Sequence, residues 1–435
     1  MSLPTRFLSL CLSTLLVSTG VAQSMFGHNP ARTGEAPGSG PKVLTSPKWT
    51  FKTGGWVIGS AAVDEDTVYV GSDDRNIYAL DRATGAERWR FATKGHVRST
   101  PAVAGSMVYA GSYDGAFYAL DTATGKPRWV FQTGGERRFE ARGLHGQKPA
   151  SQTIPDFWDF YLSSPLVSDG IVYFGSGDGH VYALAADTGA LVWRFKTGNV
   201  VHASPALSDG VLYIGSWDAH LYALDAKTGA ERWRFKTGED PENHNQTGIQ
   251  SSPAVKDGVV YFGCRDANLY AVDAATGEKR WAFSIKPTWI NATPAIHNGV
   301  AYVGSSIPHK FYAVDLATGK ARFEQETDMI VFSSAAIADG VAYVGTFAGT
   351  LSAIDASTGA VLSQYQTEAR KQDPLGFFGS DGKPNWGVLG GSEFFEDGFR
   401  MGANLLKVGS FLASPTLADG ELYIGSADGN VYAFD

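Results

Sequence analysis

Val68-Tyr69-Val70-Gly71-Ser72, then Ile77-Tyr78-Ala79-Leu80-Asp81, Thr84-Gly85 and Trp89-Arg90-Phe91, is the stretch that decides the fold. Short runs rich in Val, Ile, Tyr and Phe alternate with Gly, Asp and Asn, the pattern of strands and tight turns. The string returns along the whole chain. Its Thr-Gly glycine recurs at Gly85, Gly125, Gly189, Gly229, Gly277, Gly319 and Gly359, and a last copy ends at Tyr432-Ala433-Phe434-Asp435. A further strand, Ser-x-Pro-Ala-Val as at Ser99–Val103, precedes each copy. The unit is therefore four strands in about 40 residues. Repetition of such a unit around an axis makes an all-β propeller.

The register predicts how the ring closes. Trp49-Thr50-Phe51-Lys52-Thr53-Gly54 reads as a fourth strand with no first three before it. Residues 411–435 supply three strands with no fourth after them. Joining the two completes an eighth sheet and removes an open edge. The expectation is one eight-bladed propeller over residues 49–435, with insertions at 134–161, 238–249 and 368–410. Each insertion joins a fourth strand to the next first strand, so all three cap one face.

Composition bounds the function. The chain has 36 Lys+Arg against 44 Asp+Glu, a net charge of −8, which argues against a nucleic-acid partner. Arg6, the apolar run Phe7–Val17 and the small residues before Gln23 have the order of a secretory signal peptide over residues 1–23, too short to span a membrane. Residues 24–48 read as an N-terminal extension. Cys11 is badly placed for a lipoprotein cleavage site, so the mature chain is expected to be soluble, periplasmic or secreted, and monomeric. Cys264 is then its only thiol, so no internal disulfide forms. No metal-ligand spacing and no haem-attachment motif is present.

The motif Ala-x-Asp-x-x-Thr-Gly-x-x-x-Trp is complete at 79–89, 119–129, 223–233 and 271–281. It is altered at Ala185, Phe323 and Ser363. It resembles the repeat of the quinoprotein (PQQ-like) propeller superfamily over roughly residues 49–435. The resemblance implies either a non-catalytic scaffold of the BamB type or, as the alternative, a PQQ- and calcium-dependent dehydrogenase of alcohols or sugars. Against the enzyme stand the lack of adjacent cysteines and the lack of a carboxylate among the first-strand channel positions named below. No catalytic residue and no cofactor is therefore assigned. Trp49, Trp89, Trp129, Trp193, Trp233 and Trp281 recur once per blade and are expected to pack between neighbouring blades.

Positions that break the repeat are the candidate site. Three residues before each first-strand Pro position stand Ile58, Arg98, Leu162, His202, Gln250, Asn291, Phe332 and Leu412, expected at one mouth of the channel. After each Gly-Ser position stand Asp73, Tyr113, Gly177, Trp217, Arg265, Ser306, Phe347 and Ala427, at the same end. Arg98, His202, Gln250, Asn291, Trp217 and Arg265 together could hold an anionic planar ligand by charge pairing and stacking. Because they depart from the framework, replacing Arg98 and His202 by Ala is expected to leave stability within about 1 kcal/mol. The aromatic residues of the insertions are expected to form a small core, with part of them meeting a protein or polymer partner. Exported protein should start near Ser24; intact-mass measurement checks this, and retention of residues 1–20 would refute it.

Overall fold

The computed structural model describes residues 23–240, 242 and 244–435; nearly all of the expected signal peptide lies outside them. Eight antiparallel sheets surround an axis, each built on four strands, which in the first seven blades follow one another in chain order from the channel outward. In the first blade these are Ala62–Val63, Thr67–Gly71, Asn76–Asp81 and Glu87–Ala92. The middle strands are buried along their length, while the outer one alternates half-buried aromatic residues with exposed charge, which protects the rim from pairing. The eighth blade takes Trp49–Lys52 as its outer strand, antiparallel to Asn430–Phe434, with Trp49 opposite Ala433 and Lys52 opposite Asn430. The ring closes as its register predicts.

At the axis one hydroxyl per blade links the sheets. Ser60 N–H donates to Thr100, Thr100 to Ser164, Ser164 to Ser204 and Ser204 to Ser252. Ser252 donates to Thr293, Thr293 to Ser334, Ser334 to Ser414 and Ser414 back to Ser60. All eight bonds run from 2.8 to 3.2 Å. Each satisfies a buried amide that has no further strand to pair with.

Further out, the tryptophans dock as expected. Trp89 Nε1 donates to Thr122 O of the next blade at 2.7 Å, and Trp49, Trp129, Trp193, Trp233 and Trp281 repeat the bond to their own neighbours at 2.8–3.1 Å. The indole lies against the next blade's Thr-Gly turn. A Cβ on Gly125 would come within 2.6 Å of the Trp89 ring, and its φ of +67° is left-handed, so the turn needs glycine twice over. Two of the three altered motifs, those that lack the tryptophan, also have reasons. Phe323 takes the tryptophan's place against Gly359. Beyond Ser363 the eighth blade ends before any Thr-Gly, and Leu44, fully buried, fills the gap while its N–H donates to Ser363 Oγ at 2.8 Å.

The N-terminal extension is not a loose arm. Gln23–Ser24 adds an innermost strand to the second blade, opposite Ala104 and Val103. The chain then crosses the channel on the side away from the insertions. Carbonyls of Pro30, Ala31, Thr33 and Gly34 accept from Leu207, Val255, Ile296 and Ile337, each three residues beyond a ring hydroxyl. Four successive blades are thereby bound to one segment. Deleting Trp49–Gly54 should expose the edge of the eighth blade and cost cooperative unfolding or solubility; a truncated protein that melts like its parent would refute this closure.

Candidate functional site

The first insertion lies over the channel mouth, and the residues that break the repeat hold it there. Between Asp156 and Tyr161 five of six residues make such a contact. Asp156 pairs with Arg265 at 2.5 Å, and Trp158 O accepts from Gln250 Nε2 at 3.1 Å. Asp159 binds His202 Nδ1 at 2.7 Å, Phe160 O accepts from Arg98 at 3.4 Å, and Tyr161 donates to Leu412 O at 3.0 Å. The other insertions lock onto this one. His145 meets Asn245 and Asp156, and Phe157 packs edge-on against Phe399 of the helix Phe395–Leu406. The buried aromatics Phe157, Phe160, Phe347 and Phe377 form the small core expected under the loops.

The expected ligand site therefore needs correction. Each cation proposed for an anionic planar ligand already faces a carboxylate. Arg98 is bidentate to Asp73 at 2.8 and 2.5 Å. Burial works against its charge, but Asp73 holds it above the ordinary arginine range. Burial likewise disfavours an ionised Asp156, but Arg265 and His145 outweigh it and hold the carboxyl well below the usual range. For His202 burial lowers the pKa; Asp159 and Glu136, the latter 3.5 Å from Nε2, raise it more, to about 9. The imidazolium is held between two acids. Trp217 and Arg265 do not reach the axial cavity; they are almost fully buried beneath the insertions. Phe139 stacks on Trp217 at 4.6 Å and 11°, and Arg265 is sandwiched between Trp217 and Trp289 at 4.4 and 4.3 Å. The face that a planar ligand would use is taken by the protein's own ring.

Arg98, His202, Gln250 and Asn291 do converge on the axial cavity, as expected. It is about 40 Å³, whereas organic ligands occupy roughly 300–1,000 Å³. The residues present do not fit PQQ with calcium: the cations are neutralised, the stacking platform is filled, and the one described cysteine, Cys264, is free and buried. A larger opening on the insertion face lies off axis, between the second and third insertions and the sixth blade. This cleft of about 340 Å³ is walled by Trp158, Trp289, Phe332 and Trp386, with Asn245 and Gln246 at one side. Trp386 and Ile307 are 42% and 55% exposed. Its one titratable group, His309, is pushed down by burial, so the cleft is uncharged near neutrality.

Comparison with known proteins agrees with this architecture. The family described as outer membrane protein assembly factor BamB matches residues 36–154, 156–288 and 265–391. No curated protein matches. Among solved structures, BamB from Moraxella catarrhalis superposes with a TM-score of 0.63 at 19% identity, covering 90% of this chain and 97% of that one. The quinohemoprotein alcohol dehydrogenase of Comamonas testosteroni gives 0.67 at 17% identity, covering 94% and 80%. A europium-containing methanol dehydrogenase gives 0.63 at 16% identity, covering 93% and 90%. At these identities the likeness is one of fold.

The geometry argues against the expectation that Arg98 and His202 are energetically neutral, because removing His202 strands the buried Asp159 carboxylate and removing Arg98 the half-buried Asp73. His202→Gln should cost about 3–5 kcal/mol at pH 6, the range for breaking a buried pair. An unfolded histidine titrates near 6.5. The folded group titrates near 9, so its stabilisation is full below about pH 6.5 and is lost as pH rises through 9. Denaturant unfolding at pH 6 and 9 should show that loss in the parent and a smaller one in the variant; equal slopes would refute the imidazolium assignment.

Proposed function

The chain belongs to the family of the outer membrane protein assembly factor BamB, and on that premise we propose that it is an exported, non-catalytic binding or scaffolding propeller whose insertion face engages a protein partner. The observation that carries this reading is the Trp158–Trp289–Trp386 cleft. It is the part of the insertion face that combines exposed aromatic and aliphatic surface with a few neutral polar groups. Tryptophan platforms of this kind are enriched where binding energy concentrates at protein interfaces. The surrounding insertions are interlocked by His145–Asn245 and Phe157–Phe399, so the surface is presented with little ordering cost.

The same arrangement argues against the dehydrogenase alternative, in which a quinone carries the redox chemistry and the protein supplies its orientation. Here the positions that would orient it are spent on holding the first insertion. An extended polypeptide suits the cleft better than a charged ligand, because no ionised side chain lines it. A glycan or other polymer is the competing occupant, since its rings also stack on indoles.

Two measurements test the reading. A photo-crosslinking residue at position 386 should capture an envelope protein, while one at the exposed Val192 on an outer strand should not; Trp386→Ala should reduce binding of that partner at least tenfold. Capture that does not depend on position would refute the assignment of the face. After mixing with PQQ and calcium followed by gel filtration, the protein should carry no near-ultraviolet quinone absorbance and show no dye-linked alcohol oxidation. Either signal would overturn the non-catalytic reading.

A further inference from the structure

The hydroxyl ring has a second side. Each of its eight oxygens accepts one backbone N–H, and among the described residues none of the eight O–H groups donates to a protein acceptor. All eight side chains border the axial cavity, so their donors face a common space. Another donor faces it too. Asn291, 5% exposed, has neither its Nδ2 nor its Oδ1 partnered. Among the described residues no carboxylate lines the cavity; Asp73 pairs with Arg98, and Asp159 and Glu136 flank the two ring nitrogens of His202.

A further cation lies below. Arg32 of the N-terminal segment is fully buried and bonds only carbonyls: Pro205 O, Phe26 O at 2.6 Å, Ser164 O at 3.0 Å and Pro165 O at 3.3 Å. Among the described residues no carboxylate pairs with it. The neighbouring void beneath the ring is lined by Arg32, Ser60, Thr293 and Ser334, and Phe26 borders both spaces. Burial pulls Arg32 down to about 9, which still leaves it charged at neutral pH, and holds His28 beside it at about 4, hence neutral. A buried guanidinium without a counter-charge is costly, and a ring of convergent O–H donors has no acceptor of its own.

We propose that the channel axis is a site for one small inorganic anion of halide size, held by the O–H donors of the hydroxyl ring with Asn291 above and the charge of Arg32 below. The donors and the buried charge have the sign that an anion requires, and charge-assisted bonds of this kind are the strong ones. The size of the cavity, about 40 Å³, suits a small anion and is far below that of an organic cofactor. The site is independent of the insertion-face cleft and stands or falls separately from it. Its role is structural: an anion there ties all eight blades to one centre.

The test uses the exported full-length protein. Crystals soaked in bromide should give an anomalous difference peak on the axis inside the ring. Melting temperature should rise saturably with sodium chloride and not with sodium gluconate at equal ionic strength, because a ligand that binds only the folded state stabilises it. Asn291→Asp places a carboxylate in the cavity and should weaken half-saturation by chloride at least tenfold. Thr293→Val, which removes one donor and keeps the shape, should weaken it less. An axis without anomalous signal, holding water alone, would overturn the proposal. So would equal melting in the two salts, or a chloride response unchanged in Asn291→Asp. The bromide and parental melting results decide the matter even where a variant does not fold.

Discussion

Eight sheets set around an axis bring eight inner strands together, and each carries amides that have no further strand to meet. The Ser or Thr before each first-strand Pro position settles this locally, by accepting the N–H of the blade before it. The hydroxyl is short enough to sit at the crowded centre and carries the acceptor that the geometry demands. Position in the repeat is therefore set from the inside. Once neighbouring blades are tied at that radius, Trp89 and its counterparts meet the Thr-Gly turns at the outer radius, and each indole N–H finds its carbonyl. The inner and outer contacts constrain the same rotation between blades.

The channel mouth follows from a different constraint. Arg98, His202, Gln250 and Arg265 are too polar to be buried without partners, and the first insertion brings those partners in as Asp156, Trp158 O, Asp159 and Phe160 O. The protein thus closes its own channel with its own chain. Residues that look like a ligand site in isolation are half of an internal lock. What the closure leaves open on this face is the surface above it, where Trp386 and Ile307 stand exposed beside Trp158 and Trp289.

The fold was legible because its signal is local and repeated eight times; the Thr-Gly spacing and the orphan strand Trp49–Lys52 need no long-range knowledge. The six indole positions were legible for the same reason. The site was legible only in part. Arg98, His202, Gln250 and Asn291 stand out against their counterparts in other blades, and the structure does bring them together. Their partners did not stand out, since contact between an insertion and a distant ring position leaves no periodic trace. One cue was present: two acids, Asp156 and Asp159, inside the aromatic run Asp156-Phe157-Trp158-Asp159-Phe160-Tyr161. Charges placed among residues bound for a core need buried counter-charges. The path of residues 24–48 had no comparable cue, because the segment contains no copy of the repeat against which its residues could be compared.

The chain's route through the molecule also dictates the order of its assembly. Trp49–Lys52, which precedes the first blade, pairs with Asn430–Phe434 of the eighth. Residues 30–34 bind blades whose first strands begin as late as Ala336. The early segment can pair with the second blade at once but cannot complete its contacts until the seventh and eighth blades are available. Blades two to seven can stack in sequence as they emerge, each on its predecessor, whereas the floor of the channel and the final sheet form together at the end. Such non-local closure is slow relative to the local hairpins. It leaves an interval in which a nearly complete ring carries an unpaired edge and a free leading strand, and in that interval the molecule is most exposed to pairing with another copy of itself.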